Sequence, residues 1–469
     1  MRLTRKQLLG TAGAAALGAA GVYELVDRLT EAPSRPRAQG LPPEQHVLGG
    51  VRTVVDNDVE VLVPPLHHQV VTARVAVAER ASDLREAQAA LEDALQKLEV
   101  RYEPTPAGLG VTVAWGLPYF DRYVPRLAER HLPLDRRASR AQGKHVPALL
   151  DAMRFPSDPP ETILEQNDVA VLLRSDSLDH IADGARAIFE QLDVFEPTSI
   201  RKGFAGGGFE GGQSLPKQMA MAAGVPGADL IPDRSELFLG FTSTQKDGLG
   251  PHRIANLETL GISDGGPDGY FLRGTHMHLS HIAEDLLAWY TTFDFTDRVD
   301  TAFRPGLEVP RGTLTVAQKP DDAASIAQNR LDYRRGQRIG HSAAIQTASR
   351  LQADVRGSDG TLYTQGTAIP HRADFNTLDN PFFWSAARDR DRMSSEPAAG
   401  VHFVVFTPTS DDFNRGRLAM DGHLPDGTKL AFDPNARGQG FNSGLQTTHR
   451  QNFIVPPRRH RSFPLVERE

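Results

Sequence analysis

Histidine carries most of the chemistry open to this chain. Its 469 residues include 16 His and no Cys. Disulfides, thiolate metal sites and cysteine nucleophiles are therefore excluded, and any metal must sit on His, Asp or Glu. Three of the histidines fall together in Thr275-His276-Met277-His278-Leu279-Ser280-His281. Residues two apart on a strand share a face, so His276 and His278 are expected to hold one ion jointly. His281, placed at the start of a following helix, would close the set. Imidazole ligands of this kind suit copper, zinc or iron, with His252 or His371 as a further ligand. A plainer expectation stands beside this one: the three rings hydrogen-bond one another or fill a polar cavity.

Other segments exclude more than they suggest. The run Gly203-Phe204-Ala205-Gly206-Gly207-Gly208-Phe209-Glu210-Gly211-Gly212 lacks the Lys-Ser/Thr pair of a phosphate cradle and reads as a surface loop. The stretch Pro456 to Arg461 is a short basic tail that ends the fold. A net charge of -7 provides no basic field to condense on phosphates, so nucleic acid is not an expected partner. The length exceeds what one hydrophobic core usually fills, which predicts two packed halves.

The first residues read as an address. Met1 to Leu29 opens with Arg2, Arg5 and Lys6 and continues as LLGTAGAAALGAAGVYELV, a weakly apolar run of signal-peptide length and too short for a convincing membrane span. Thr4-Arg5-Lys6-Gln7-Leu8-Leu9-Gly10 resembles the twin-arginine export pattern, with Lys6 where the second Arg stands. This implies use of the twin-arginine export machinery and a body that is extracellular or associated with the cell envelope. An uncleaved N-terminal anchor is the other expectation. The leader is placed at residues 1–31, and a Pro-rich linker at 32–57 follows it.

The body must then position the histidines. His67 to Val77 and Leu109 to Gly116 are expected strands, separated by a helix over Ser82 to Val100 in which Leu84, Ala87, Leu91, Leu95 and Leu98 recur at helical spacing. A strand over Asp168 to Ser177 and a helix from His180 to Leu192 complete a β-α-β-β-α order, that of a ferredoxin-like unit. This is the first half, residues 58–230. In the second half, 231–469, Glu236 to Thr242 and Gly269 to Arg273 are expected strands. Ser280 to Thr291 is expected as a helix capped by Ser280, Val401 to Thr407 as a buried strand, and Asp411 to Met420 as its following helix. The fold class is α+β with tandem ferredoxin-like halves, and a cavity between a sheet and its helices would suit a flat cofactor.

The ordered segments HHQVVTARVAV, LGVTVAWGLPYF, NDVAVLLRSDS, LFLGF, DGYFLRGTHMHLSHIAEDLLAWY, GHSAAIQ and GVHFVVFTPTSDDFNRG resemble those of dye-decolourising peroxidases, from about Val61 to Pro457. The resemblance implies a fold of the dimeric α/β-barrel type, haem b as cofactor, and peroxide-dependent oxidation of an organic donor. It also implies hydrogen peroxide and that donor as small-molecule partners, and assembly into homo-oligomers. His341 in Ile339-Gly340-His341-Ser342 matches the axial histidine. The family's distal acid falls on Ser243, which cannot shuttle the peroxide proton well, while Asp247 follows after an apparent insertion. Gln365 stands where the distal arginine is expected, and Arg372 lies just beyond Pro370. Asp247 and Arg372 are accordingly the candidate catalytic pair, and His341 the candidate haem ligand. The contrasting expectation is a non-haem copper, zinc or iron oxidoreductase, or a binding protein without turnover, that uses His276, His278 and His281.

Overall fold

A computed structural model describes residues 22–30, 41–56, 59–206, 213–242, 253–254, 264–314, 325–351, 354–357, 360–363, 368–380 and 396–469. The N-terminal helix α1 is Glu24–Leu29. The first half is built from β1 (His67–Val75), α2 (Ala81–Arg101), β2 (Gly110–Trp115), β3 (Val169–Ser175), α3 (Leu178–Ala185) and β4 (Phe195–Phe204). Its strands lie in the order β4-β1-β3-β2, all antiparallel. This is the ferredoxin-like arrangement that the pattern of apolar strands and the Leu84 to Leu98 helix stripe predict.

After α4 (Leu215–Ala222) the plan repeats. Its parts are β5 (Thr275–Glu284), α5 (His341–Gln346), β6 (His371–Arg372), β7 (Phe375–Thr377), β8 (Gly400–Thr407), α6 (Ser410–Met420) and β9 (Leu445–Val455). The order is β9-β5-β8, with β6 and β7 as two pieces of one interrupted strand along the far edge of β8. Two seams join the halves: β2 pairs with β9 through Trp115 and Ile454, and β4 pairs with β7 through Phe204 and Asn376. The sheet thereby closes on itself into a barrel. Closure leaves no long edge exposed between the halves.

Alternation along the strands then divides the side chains into two sets. Val70, Ala114, Leu172, Met277, Leu279, Val404, Phe406 and Phe453 pack together across both halves and fill the barrel. Ala73, Val75, Val111, Val171 and Leu173 face outward and bury the Leu84, Leu91, Leu95 and Leu98 stripe of α2.

Several expectations about the second half are corrected. Glu236 to Thr242 and Gly269 to Arg273 are turns and bends rather than strands. Gly240, Gly269 and Arg273 adopt φ of 89°, 72° and 72°, which reverses the chain where a strand would continue. Ser280 is no helix cap. Strand β5 runs through it to Glu284, held by β8 on one side and β9 on the other, and the next helix starts at Leu286 with Asp285 as its cap. Eight residues, His276 to Ala283, paired on both edges outweigh a local capping signal. The end of the expected leader is also part of the body: Val22, Tyr23 and Val26 are buried.

Candidate functional site

Period-two alternation on β5 splits the histidine trio. Met277 and Leu279 point into the barrel, so His281 does too, while His276 and His278 face outward toward the helices. His278 stacks on Phe413 of α6 with ring centroids 3.4 Å apart. Its Nδ1 is 2.6 Å from Asn452 Oδ1 and its Nε2 bonds Ser280 Oγ, so both nitrogens are engaged. Burial pushes the imidazoles of His276 and His278 down to about 4 and about 3, keeping them neutral. His371, expected as a further ligand, pairs across the sheet with Phe406, a barrel residue, and so lies on the side away from His276 and His278. The set His276, His278 and His281 does not meet around one ion. Among the described residues no three His, Asp or Glu side chains are arranged to hold a metal.

Sequence reasoning missed where His281 belongs. Strand register sets it directly opposite His402 of β8 and His449 of β9, so three imidazoles form one row across adjacent strands inside the barrel. All three residues are at most 2% exposed. Thr448 lies between two of them: its hydroxyl is 2.8 Å from His281 Nδ1 and 3.0 Å from His449 Nδ1, and it donates to the His281 carbonyl at 3.4 Å. Thr448 Oγ1 thus bridges the Nδ1 atoms of both rings. Deeper in the same interior, Arg201 makes a two-oxygen contact with Glu165 at 2.6 and 2.5 Å.

His341 stands elsewhere, as the first residue of α5 on the outer side of the second half's sheet. Gly340 precedes it because a Cβ there would lie 2.3 Å from the Phe303 carbonyl oxygen. The His341 ring packs 4.3 Å from Phe441, and its enclosed Nδ1 has no hydrogen-bond partner among the described residues. Burial, followed by the positive charges of Arg417 and Arg372, holds this imidazole neutral, at about 3. Arg372 on β6 pairs with Val405, the residue opposite His278, and therefore faces the same outer side. Its Nε is 3.8 Å from Asp374 Oδ1. The structure thus brings two of the expected residues, His341 and Arg372, to one side of the sheet. Asp247, Ser243, Gln365 and His252 lie outside the described residues.

A packed polar layer adjoins them. Phe155 lies between the guanidiniums of Arg417 and Arg450, at 5.3 and 4.6 Å, and Arg450 bonds Asp158 at 2.6 Å. An open cleft of about 820 Å³ borders this layer at Phe155, Asp158 and Leu418. A second cleft of about 560 Å³ is lined by Arg304, Arg335, Arg338, Arg437 and Gln439. Gln439 is pinned to the backbone of Ile339 by two bonds of 3.1 Å, and its neighbour Gly440 sits against His341.

A family model described as a family of unknown function, DUF7405, matches residues 65–457. The chain belongs to this family. The match begins just before β1 and ends just after β9, so the DUF7405 unit is the closed barrel with its helices. No curated protein matches this DUF7405 chain. Solved structures similar to it include the encapsulated DyP-type peroxidase from Mycobacterium smegmatis, at 13% identity and a TM-score of 0.46, covering 85% of this chain and 95% of that one. A DypB variant from Rhodococcus jostii RHA1 in complex with heme is 13% identical with a TM-score of 0.48, covering 85% and 96%. A dye-decolorizing protein from V. cholerae is 12% identical with a TM-score of 0.44, covering 85% and 96%.

Proposed function

We propose that this DUF7405 protein is an exported haem-binding oxidoreductase of the peroxidase type, with His341 as the axial ligand. The observation that carries the reading is the state of His341: an imidazole held neutral by burial, with one enclosed ring nitrogen free of protein partners among the described residues. A metal ligand must be a neutral imidazole, and this donor fits. Its surroundings differ from a common haem-peroxidase arrangement, because arginines rather than a carboxylate act on it. Haem would supply the iron chemistry that cleaves peroxide and draws electrons from an organic donor.

The chain's own groups have separate tasks. Arg372 is a fixed positive charge on the His341 side of the sheet, suited to stabilising negative charge that builds up on an oxygen. Asp247 is the carboxylate assigned to move the peroxide proton. Glycine at 340 lets the chain pass under Phe303 and so sets where α5 begins. Pairing with copper, zinc or iron through His276, His278 and His281 is not supported, because β5 turns them to opposite faces.

Absorption spectroscopy of the exported protein tests the proposal. The expected result is a Soret band that disappears in His341→Ala while far-ultraviolet circular dichroism is unchanged. A folded, colourless wild-type protein after expression with added haem precursor overturns it.

A further inference from the structure

The leader read from the sequence ends inside the folded body. Val22, Tyr23 and Val26 are 3%, 2% and 0% exposed. They fill an apolar seat made by Phe204, Leu215, Met219, Phe238, Leu286 and Leu378, residues drawn from both halves of the barrel and from α4. The polar end of Tyr23 is fixed as well. Its hydroxyl donates to Asp379 Oδ1 at 2.8 Å, accepts from the Leu378 N–H at 3.1 Å and lies 3.1 Å from Thr377 Oγ1. Asp379 also accepts from the Lys202 N–H at 2.6 Å, so Tyr23 is tied to both sides of the β4–β7 seam. Four residues on from Tyr23, Asp27 pairs with His67, the first residue of β1, at 2.6 Å.

A transport leader needs only to be apolar and accessible to its machinery, and nothing in that task calls for a tyrosine hydroxyl with three specific partners. Loss of the segment would open the seat to water and strip Asp379, a fully buried carboxyl, of one of its hydrogen bonds. We propose that Val22–Leu29 is a permanent clamp of the mature protein, and that any removal of the leader cuts N-terminal to Val22, in the small-residue run Ala14-Ala15-Ala16-Leu17-Gly18-Ala19-Ala20-Gly21. Small residues of this type are what a leader peptidase accepts at its cleavage site. The position of the cut rests on the export reading. The clamp does not.

Two measurements on the full-length chain decide it. N-terminal sequencing and intact mass of exported protein are expected to give a first residue at or before Val22. Val26→Asp and Tyr23→Ala are expected to lower Tm by at least about 3 °C, because each removes buried contacts, whereas the exposed Glu24→Ala leaves it unchanged. A mature chain that begins beyond Leu29, or a Val26→Asp variant that melts with the wild type, overturns the proposal. Failure of export alone removes only the first measurement, and the melting series still decides whether the segment is a clamp.

Discussion

His281 and His402 face each other across two antiparallel strands, with ring centroids 4.9 Å apart and planes at 62°. Each is pushed well below its ordinary value by burial first and by neighbouring positive groups second, for His281 chiefly His402 itself. Two imidazoles at this separation inside a barrel cannot both carry charge, and His449 and Arg201 reinforce the bias toward the neutral form.

That bias sets an acid limit on stability. His46, His68, His278 and His341 are depressed to about 3 and His276 to about 4, with desolvation the leading cause in each. Between about pH 6.5 and 3 the unfolded chain binds protons at these sites that the native chain refuses, so stability rises with pH across this window and is lost as pH falls through it. Asp379, raised to about 6, and Glu284, raised to about 8, act in the opposite sense, since the native state holds protons there that the unfolded chain releases. Asp121, Asp168, Asp300 and Asp411, also raised by burial, add to that opposing sense, Glu92 and Glu467, drawn down by their hydrogen bonds, add to that of the histidines, and the seven depressed histidines dominate the balance. Melting temperature is expected to fall steadily from pH 6.5 to pH 4, and a level or rising profile over that range would count against neutral buried histidines.

Arg201 is fully buried and Glu165 is its carboxylate partner, with an 11% exposed side chain. A charge enclosed this way is retained only because it is paired, and removal of one member leaves the other to bear its desolvation. Glu165→Ala is expected to cost about 3 kcal/mol or more in urea unfolding, and the isosteric Glu165→Gln less. Equal, near-zero effects of both changes would show that the pair contributes no stability.

The ferredoxin-like halves were legible because Val70, Val113, Val171 and Val404 sit in strongly apolar strands and the α2 leucines keep helical spacing. The barrel's closure was not. It depends on single pairings such as Trp115 with Ile454, between segments hundreds of residues apart, and no local pattern specifies register at that distance. The same gap explains the histidines: sequence spacing correctly joined His276 to His278 but placed His281 with them, because Ser280 and the acids after it imitate a helix start. Had the expected strand been carried on through Glu284, Met277, Leu279 and His281 would have lined up on one face. The partners of His281 come from β8 and β9, which only the pairing reveals. His341 and Arg372 were reached through the family resemblance alone, and the structure adds that they share a side of the sheet.

The β4–β7 seam offers a steric test of closure. A Cβ added to Gly203 would lie 2.2 Å from the Asn376 carbonyl oxygen and 2.4 Å from the Phe375 ring. Backbone on one side and a buried ring on the other leave little room to yield, so Gly203→Ala should destabilise the protein by about 1–3 kcal/mol. Gly416, with open space around its Cβ position, is the control on α6. Chemical denaturation of both variants reads the difference, and a Gly203→Ala protein as stable as wild type would mean the seam is not closed as described.

Arg372 separates a peroxidase role from mere haem storage. Its guanidinium acts on His341 from the same side of the sheet, yet its neighbour of opposite charge, Asp374, is 3.8 Å away at Nε, beyond a good hydrogen bond. With a 31% exposed side chain it is not a structural core group, and Arg372→Leu should leave folding intact. If the cation stabilises charge on the peroxide oxygens, the variant retains its Soret band but loses about 100-fold or more in turnover with peroxide and an organic donor, the loss usual for a group acting on developing charge. If turnover is unchanged while haem is bound, Arg372 has no part in the chemistry and its position beside His341 only tunes the imidazole. Loss of haem itself in this variant would instead assign Arg372 to holding the cofactor, a result that the band's intensity per protein distinguishes directly.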